Sequence, residues 1–328
     1  MRARDVLREK VHASSRGGGV LSTTFSQPLG KNVRDGTLWG YYIDLTVKAE
    51  RPEWPPSTLG PPADELVVDV VQWGMGCFER YVGSNGERWL AGAVATGEWL
   101  VRSQQRGGAM DGGWVHHHPY PHTFPLDPPW LSAIAQGEAA SLLFRLGQVT
   151  GDERFIEAGR RALLPFDVPP REGGLRVELD GGPFFEEYPT DPPSFVLNGA
   201  IFAAWGLYDA ALALGDGAGR REFDAFVDTL ASNVHRWDTG YWSRYDLFPH
   251  PLPNVASRAY HELHVDQLVA LDRLAPRDKL RDAVARWRTY QRSALSRRRA
   301  FAAKVAFRLA VPRNAALARR LPWTPGDR

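Results

Sequence analysis

Three acids and a phenol fall within six residues at 186–191, as Glu186, Glu187, Tyr188, Pro189, Thr190 and Asp191, and Pro192, Pro193 and Ser194 follow at once. A carboxyl whose pKa is raised by burial, or a phenol whose pKa is lowered by a nearby cation, can take and return protons near neutral pH. The prolines stiffen the loop and disfavour helix before Ser194, which makes Ser194 the expected N-cap of the apolar segment 195–207. Polar groups are thereby set at the mouth of a buried helix, where a helical enzyme would carry its site. Two further phenols lie downstream, Tyr245 in Tyr-Asp-Leu and Tyr260 in Tyr-His.

A second cluster, at 114–122, holds His116, His117, His118 and His122 together with Trp114 and Tyr120. Imidazole is a common zinc ligand, but adjacent histidines in a proline-containing loop do not converge as helical i, i+4 pairs do, so no metal is expected. The composition suits a loop along a binding groove, with Trp114 and Tyr120 as stacking platforms. Trp73, Trp89, Trp205 and Trp237 lie in or beside helical segments and read as core. No dinucleotide fingerprint, phosphate-binding loop or Gly-x-Ser-x-Gly elbow is found, and no cofactor is implied.

The elements that must position these residues are helices. From residue 64 apolar residues recur at three and four spacing in paired segments, 64–81 with 86–105, 130–149 with 152–165, 194–213 with 219–236, and 260–273 with 277–292. Helix pairs joined by irregular loops describe an all-α (α/α) toroid, or an open part of one. Residues 1–63 form an irregular N-terminal extension rich in Gly, Ser and Pro, with a strand expected at 39–47. The catalytic domain is assigned to 64–295. The chain has 328 residues, 43% hydrophobic and 24% charged, with net charge +2, consistent with a globular enzyme. Its single cysteine, Cys77, rules out an internal disulfide framework. The first ten residues lack the apolar core of a signal peptide and no spanning helix is read, so a cytoplasmic location is expected.

Residues 296–328 form a basic tail with Phe301, Val305, Leu309 and Leu317 interleaved among arginines. This pattern suits a basic amphipathic helix that lies on an anionic membrane surface, docks on a partner, or packs on the toroid. Sparse aromatic interleaving argues against nucleic acid.

The stretch from Glu186 to Gly199, running on to Trp205, Gly206, Leu207, Tyr208 and Asp209, resembles the C-terminal catalytic region of the D-glucuronyl C5-epimerases. Other blocks agree in order over roughly residues 64–292. They are the Glu98 to Gln104 segment with Gly112, Gly113 and Trp114, the run from Pro129 to Glu138, the run from Asp238 to Leu247, and Pro253 and Asn254 with Tyr260, His261 and His264. The resemblance implies an α/α catalytic domain that inverts C5 of glucuronate in a heparan-type glycan. The family's β-domains have no counterpart here. Glu187 and Tyr260 would be the opposed acid/base pair, with Tyr188 and Tyr245 orienting the substrate carboxylate or sharing the proton transfer, and Asn198 is a further substrate-binding candidate.

One departure stands out. Phe248 occupies the place, directly after Tyr-Asp-Leu, where the family has a carboxylate-clamping arginine. Arg244 and Arg258 are the candidates to replace that charge, followed by His261 and His264. An inactive glycan-binding homologue remains an alternative, as does a lyase, or a hydrolase using Glu187, Asp191 or Asp238. A homodimer is left open.

Overall fold

The structure is a computed structural model, and it describes residues 27–50, 66–119, 123–215 and 217–311. Tyr120, His122, Leu317 and much of the N-terminal extension lie outside the described residues. Eight helices make four consecutive hairpins: α1 (Val67–Ser84) with α2 (Glu87–Ser103), α3 (Ala133–Thr150) with α4 (Glu153–Arg161), α5 (Leu197–Leu214) with α6 (Gly217–Asn233), and α7 (Arg258–Leu274) with α8 (Asp278–Arg292). A ninth, α9 (Ala294–Ala310), follows α8, and β1 (Arg176–Leu179) pairs antiparallel with β2 (Gly182–Phe185) ahead of α5.

The first helices of the hairpins form the inner layer, α1 packing on α3, α3 on α5 and α5 on α7. Among the described residues no comparable packing joins α1 to α7, so the four hairpins make an open arc there. Sequence sets these roles. α3 and α5 are buried nearly all round, whereas α4 and α8 bury one stripe each, through Phe155 and Ala158 and through Leu280, Ala283, Val284 and Trp287. Boundaries follow ordinary stop and start chemistry: Gly151 and Gly215 end α3 and α5 at φ 73° and 66°, and Asp152, Ser257 and Ser293 cap α4, α7 and α9 with side-chain oxygens. α5 is long and apolar enough by composition to cross a membrane, yet most of it is buried as the central core helix.

Where α3 crosses α5 the backbones touch. A Cβ on Gly137 would lie 2.4 Å from Ala203 Cα, and one on Gly206 would lie 2.7 Å from Gly137 Cα. Any side chain at either position would force the two inner helices apart.

Two expectations need correction. Residues 39–47 are not a strand: only Ile43 forms a bridge, to Leu29, and a 3-10 turn follows at Thr46–Glu50. Consecutive Tyr41 and Tyr42 are both buried, which a half-exposed alternating strand cannot arrange, and they pack on Phe202 and Trp205 of α5. Ser194 does not cap α5 either. Val196 holds the cap position without a side-chain bond, and the Ser194 hydroxyl turns back to Glu186.

Candidate active site

The loop at 186–195 is braced by Glu186. Its carboxylate accepts from Ser194 N at 2.8 Å, Ser194 Oγ at 2.5 Å and Phe195 N at 2.8 Å. Phe195 sits in the left-handed region at φ 48°, a costly conformation for a bulky residue, which those bonds hold in place. Burial raises the Glu186 pKa to about 7 against the pull of these donors.

With Glu186 committed to the loop, its neighbour Glu187 faces the opposite way, over the first turn of α5. A Cβ added at Gly199 would lie 2.2 Å from Glu187 Oε2, so the carboxyl is seated directly against helix backbone. Asn198 Nδ2 donates to Oε2 at 3.4 Å, Tyr245 Oη donates to Oε1 at 3.4 Å, and Tyr188 also hydrogen-bonds the carboxylate. Burial is the largest influence on Glu187 and pushes its pKa up to about 7; the Tyr188 and Tyr245 bonds pull down, and the negative charges of Glu186 and Asp246 push up. A carboxyl titrating near neutrality beside two phenols can act as base or acid.

Tyr245 stands edge-on to Tyr260, with ring centroids 4.9 Å apart at 71°. Tyr245 is placed by main-chain bonds, its N–H to Asn254 O and its C=O from Leu197 N, which ties the Tyr-Asp-Leu segment to the start of α5. Tyr260 lies in the first turn of α7, its N–H held by the Ser257 cap, and is only partly buried. Tyr188 packs between Phe124 and Trp130, at 5.3 and 6.2 Å. The four phenol and carboxyl candidates Glu187, Tyr188, Tyr245 and Tyr260 are thus brought together, with Asn198 against Glu187.

The remaining candidates have other surroundings. Arg258 is exposed and paired with Glu262 at 2.8 Å along α7. Arg244 is half-buried, with Asp246 and Arg236 as its charged neighbours and burial lowering its pKa. His261 is fully buried and flat against Trp242, with centroids 3.8 Å apart; its Nδ1 accepts from Ser243 N and its Nε2 donates to Trp287 O. Both nitrogens are engaged, and burial holds its pKa down at about 4. His264, which shares the Ser243 hydroxyl, is buried beside it. Trp114 is a core residue at 2% exposure, its indole N–H on Leu100 O, so it offers no face for stacking. His116 is buried and stacked on Trp130 at 3.9 Å. Phe248, at 1% exposure, packs with Phe124 and His250 in the apolar wall behind Tyr188.

Sequence reasoning missed a polar layer behind Tyr245. Lys304 of α9 donates to Asn254 Oδ1 at 2.7 Å, Asn254 Nδ2 donates to Asp246 Oδ2, and all three residues are buried. Asp246 and Asn254 were visible inside the matched blocks. Lys304 was hidden in the basic tail, on the face of α9 opposite the stripe that drew attention. Also missed was Glu138 of α3, fully buried, with Gln72 on its Oε1 at 3.1 Å and burial raising its pKa to about 8.

The model of the D-glucuronyl C5-epimerase C-terminus family matches residues 107–289, just over half of the chain. The chain belongs to this family. A D-glucuronyl C5-epimerase of Caenorhabditis elegans is 33% identical over 214 residues, covering 60% of this chain and 34% of that protein. An uncharacterised protein of Methanocaldococcus jannaschii is 27% identical over 162 residues, covering 48% of this chain and 51% of the relative. The chain therefore spans about a third to a half of the length of these relatives. The matched region holds Glu187, Tyr188, Tyr245 and Tyr260, and stops short of α9 and Lys304.

Proposed function

We propose that the protein converts D-glucuronate to L-iduronate within a uronate-containing glycan. The observation that carries the reading is the meeting of a neutral-range carboxyl, Glu187, with Tyr245 and Tyr260 inside a chain of the epimerase family. Ionised Glu187 takes the C5 proton, and the bonding pair passes into the substrate carboxylate as an enediolate. Tyr260 then gives its phenolic proton to C5 from the opposite face, forming the new C–H bond. Tyr188, Tyr245 and Asn198 supply hydrogen-bond donors where negative charge grows. Solvent restores the proton to Tyr260 and removes it from Glu187.

Incubation with uronate glycans in deuterated water tests this: deuterium enters C5 at unchanged chain length. A lyase would leave an unsaturated uronate and a hydrolase would shorten the chain. The hydrolase reading is weakened by Asp238, which is occupied with Trp287 Nε1, Tyr290 Oη and Arg286, and by Asp191, which is exposed on the loop. An inactive glycan-binding protein is the second reading, favoured by buried Phe248 in place of the family's arginine; absence of exchange on every glycan would select it.

The outer face of α9 supports a peripheral docking role on an anionic membrane surface. Leu295, Phe301, Val305 and Leu309 are 76%, 50%, 37% and 68% exposed, and Arg297, Arg298 and Arg308 flank them on the same helix. Apolar anchors among arginines match an anionic lipid surface. Co-sedimentation with phosphatidylserine vesicles, lost in high salt and after Phe301→Ser with Leu309→Ser, is the expected result. No binding at low salt would end the idea.

A further inference from the structure

The inward face of α9 carries a charge that no expectation assigned. Ala300, Lys304 and Phe307 point toward the body of the protein: Ala300 packs with Trp242, Val255 and Ala256, and Phe307 meets His250 at 5.1 Å. Lys304 lies between them at 7% exposure, with its ammonium 5.9 Å from the Tyr245 ring centroid and 5.4 Å from that of Phe307. A lysine is seldom buried without a counter-charge. Here the counter-charge is Asp246, reached through the Asn254 amide, which accepts from Lys304 and donates to Asp246. Asn254 is also the residue whose carbonyl receives the Tyr245 N–H at 2.7 Å.

We propose that Lys304 is a positioning residue of the same site, fixing Asn254, and through it the Tyr245 main chain, while setting a positive charge under the Tyr245 ring. A cation at that range favours the phenolate, and Tyr245 is the phenol that bonds Glu187. The titratable groups at Tyr245 are Glu187, bonded to its hydroxyl, Tyr260, in ring contact from α7, Arg244 and Asp246, on either side of it in the chain, and Lys304 from α9, over its ring. Among these Lys304 is the group that faces the Tyr245 ring with an ammonium, 5.9 Å from its centroid. Its catalytic consequence rests on the epimerase reading; its effect on Tyr245 does not.

The test uses the full chain labelled with ¹³C at the tyrosine ring, with Tyr245→Phe assigning the signal. Lys304→Gln keeps a donor for Asn254 and removes the charge; Lys304→Arg keeps the charge. In Lys304→Gln the Tyr245 phenol should titrate about one unit or more higher than in the parent, and C5 deuterium exchange should fall by about tenfold or more with its pH optimum moved upward. Lys304→Arg should restore both. An unmoved Tyr245 titration in folded Lys304→Gln overturns the proposal. So does loss of fold in both variants, since Lys304 would then be only a tie between α9 and the body. Absence of exchange in the parent protein would defeat the epimerase reading, while the Tyr245 titration would still decide the role of Lys304.

Discussion

Two buried polar clusters sit toward opposite ends of α5, and they are built differently. At the distal end, Arg145 donates to Gly40 O at 2.9 Å, Ser141 O at 2.9 Å and Asp209 Oδ2 at 2.5 Å, while Tyr42 Oη donates to Asp209 Oδ1 at 2.5 Å. The pair is fully buried and these bonds of 2.5–2.9 Å are ion-assisted or backed by the main chain, so the charge is neutralised where it stands. At the proximal end, Glu187 has long bonds at 3.4 Å, two phenols rather than a cation, and a pKa near neutrality. A closed network specifies structure; one left loosely bonded and close to its titration point has protons to give.

The largest effect should come from opening the closed cluster. Arg145→Met strands Asp209 without its partner and should cost about 3–5 kcal/mol, read from chemical denaturation. A loss under about 1 kcal/mol would mean the two clusters are not different in kind. Glu187→Gln and Tyr260→Phe should instead leave denaturation nearly unchanged and lower C5 exchange by roughly 10²–10⁴-fold. Unfolding in either would make the proximal cluster structural as well.

A smaller effect concerns pH. Glu138 has a folded pKa raised to about 8, above the roughly 4.3 of an unfolded glutamate. Between those values the unfolded chain releases a proton that the folded chain keeps, so stability is greatest below pH 4.3 as far as this group is concerned and declines as pH rises toward about 8. Glu138→Gln, which retains the acceptor for Gln72, should match the parent near pH 4 and melt about 5 °C or more higher at pH 8. Equal melting temperatures at both pH values would show that Glu138 ionises freely in the fold. The smallest effect is geometric: Gly199→Ala must move the Glu187 carboxyl, and exchange should drop about tenfold with the circular dichroism spectrum intact. Wild-type activity in this variant would show that Glu187 is not held where the mechanism needs it.

Periodicity was enough to reveal the four hairpins, because each bury-one-side helix writes its 3.6-residue pattern into the chain and Gly or Asn marks several of the ends. Residues 39–47 misled, since β-branched and aromatic side chains serve equally well as irregular packing on helices, and only the absence of a partner strand decides the matter. At the site, Glu187, Tyr188, Tyr245 and Tyr260 were legible from motif resemblance. That Glu186 braces the loop while Glu187 lies over α5 was not, because adjacent identical residues in a loop carry no sign of which way each turns. The surroundings of Arg258 and His261 were illegible for a like reason: a helix-surface ion pair and a stacked imidazole are tertiary facts. Lys304 was illegible because an amphipathic reading of α9 records only one face, and this helix has two.

The touching backbones of α3 and α5 have a mechanical consequence. With Gly137 and Gly206 in direct contact there is no side-chain layer to compress or rotate, and close-packed backbone transmits displacement rather than absorbing it. That seam acts as the fixed jaw of the molecule, carrying Asn198 and the seat of Glu187. Tyr260 and Lys304 ride on α7 and α9, joined to the seam by ordinary side-chain packing. Any displacement at the candidate site is therefore expected on the α7 and α9 side rather than at the seam.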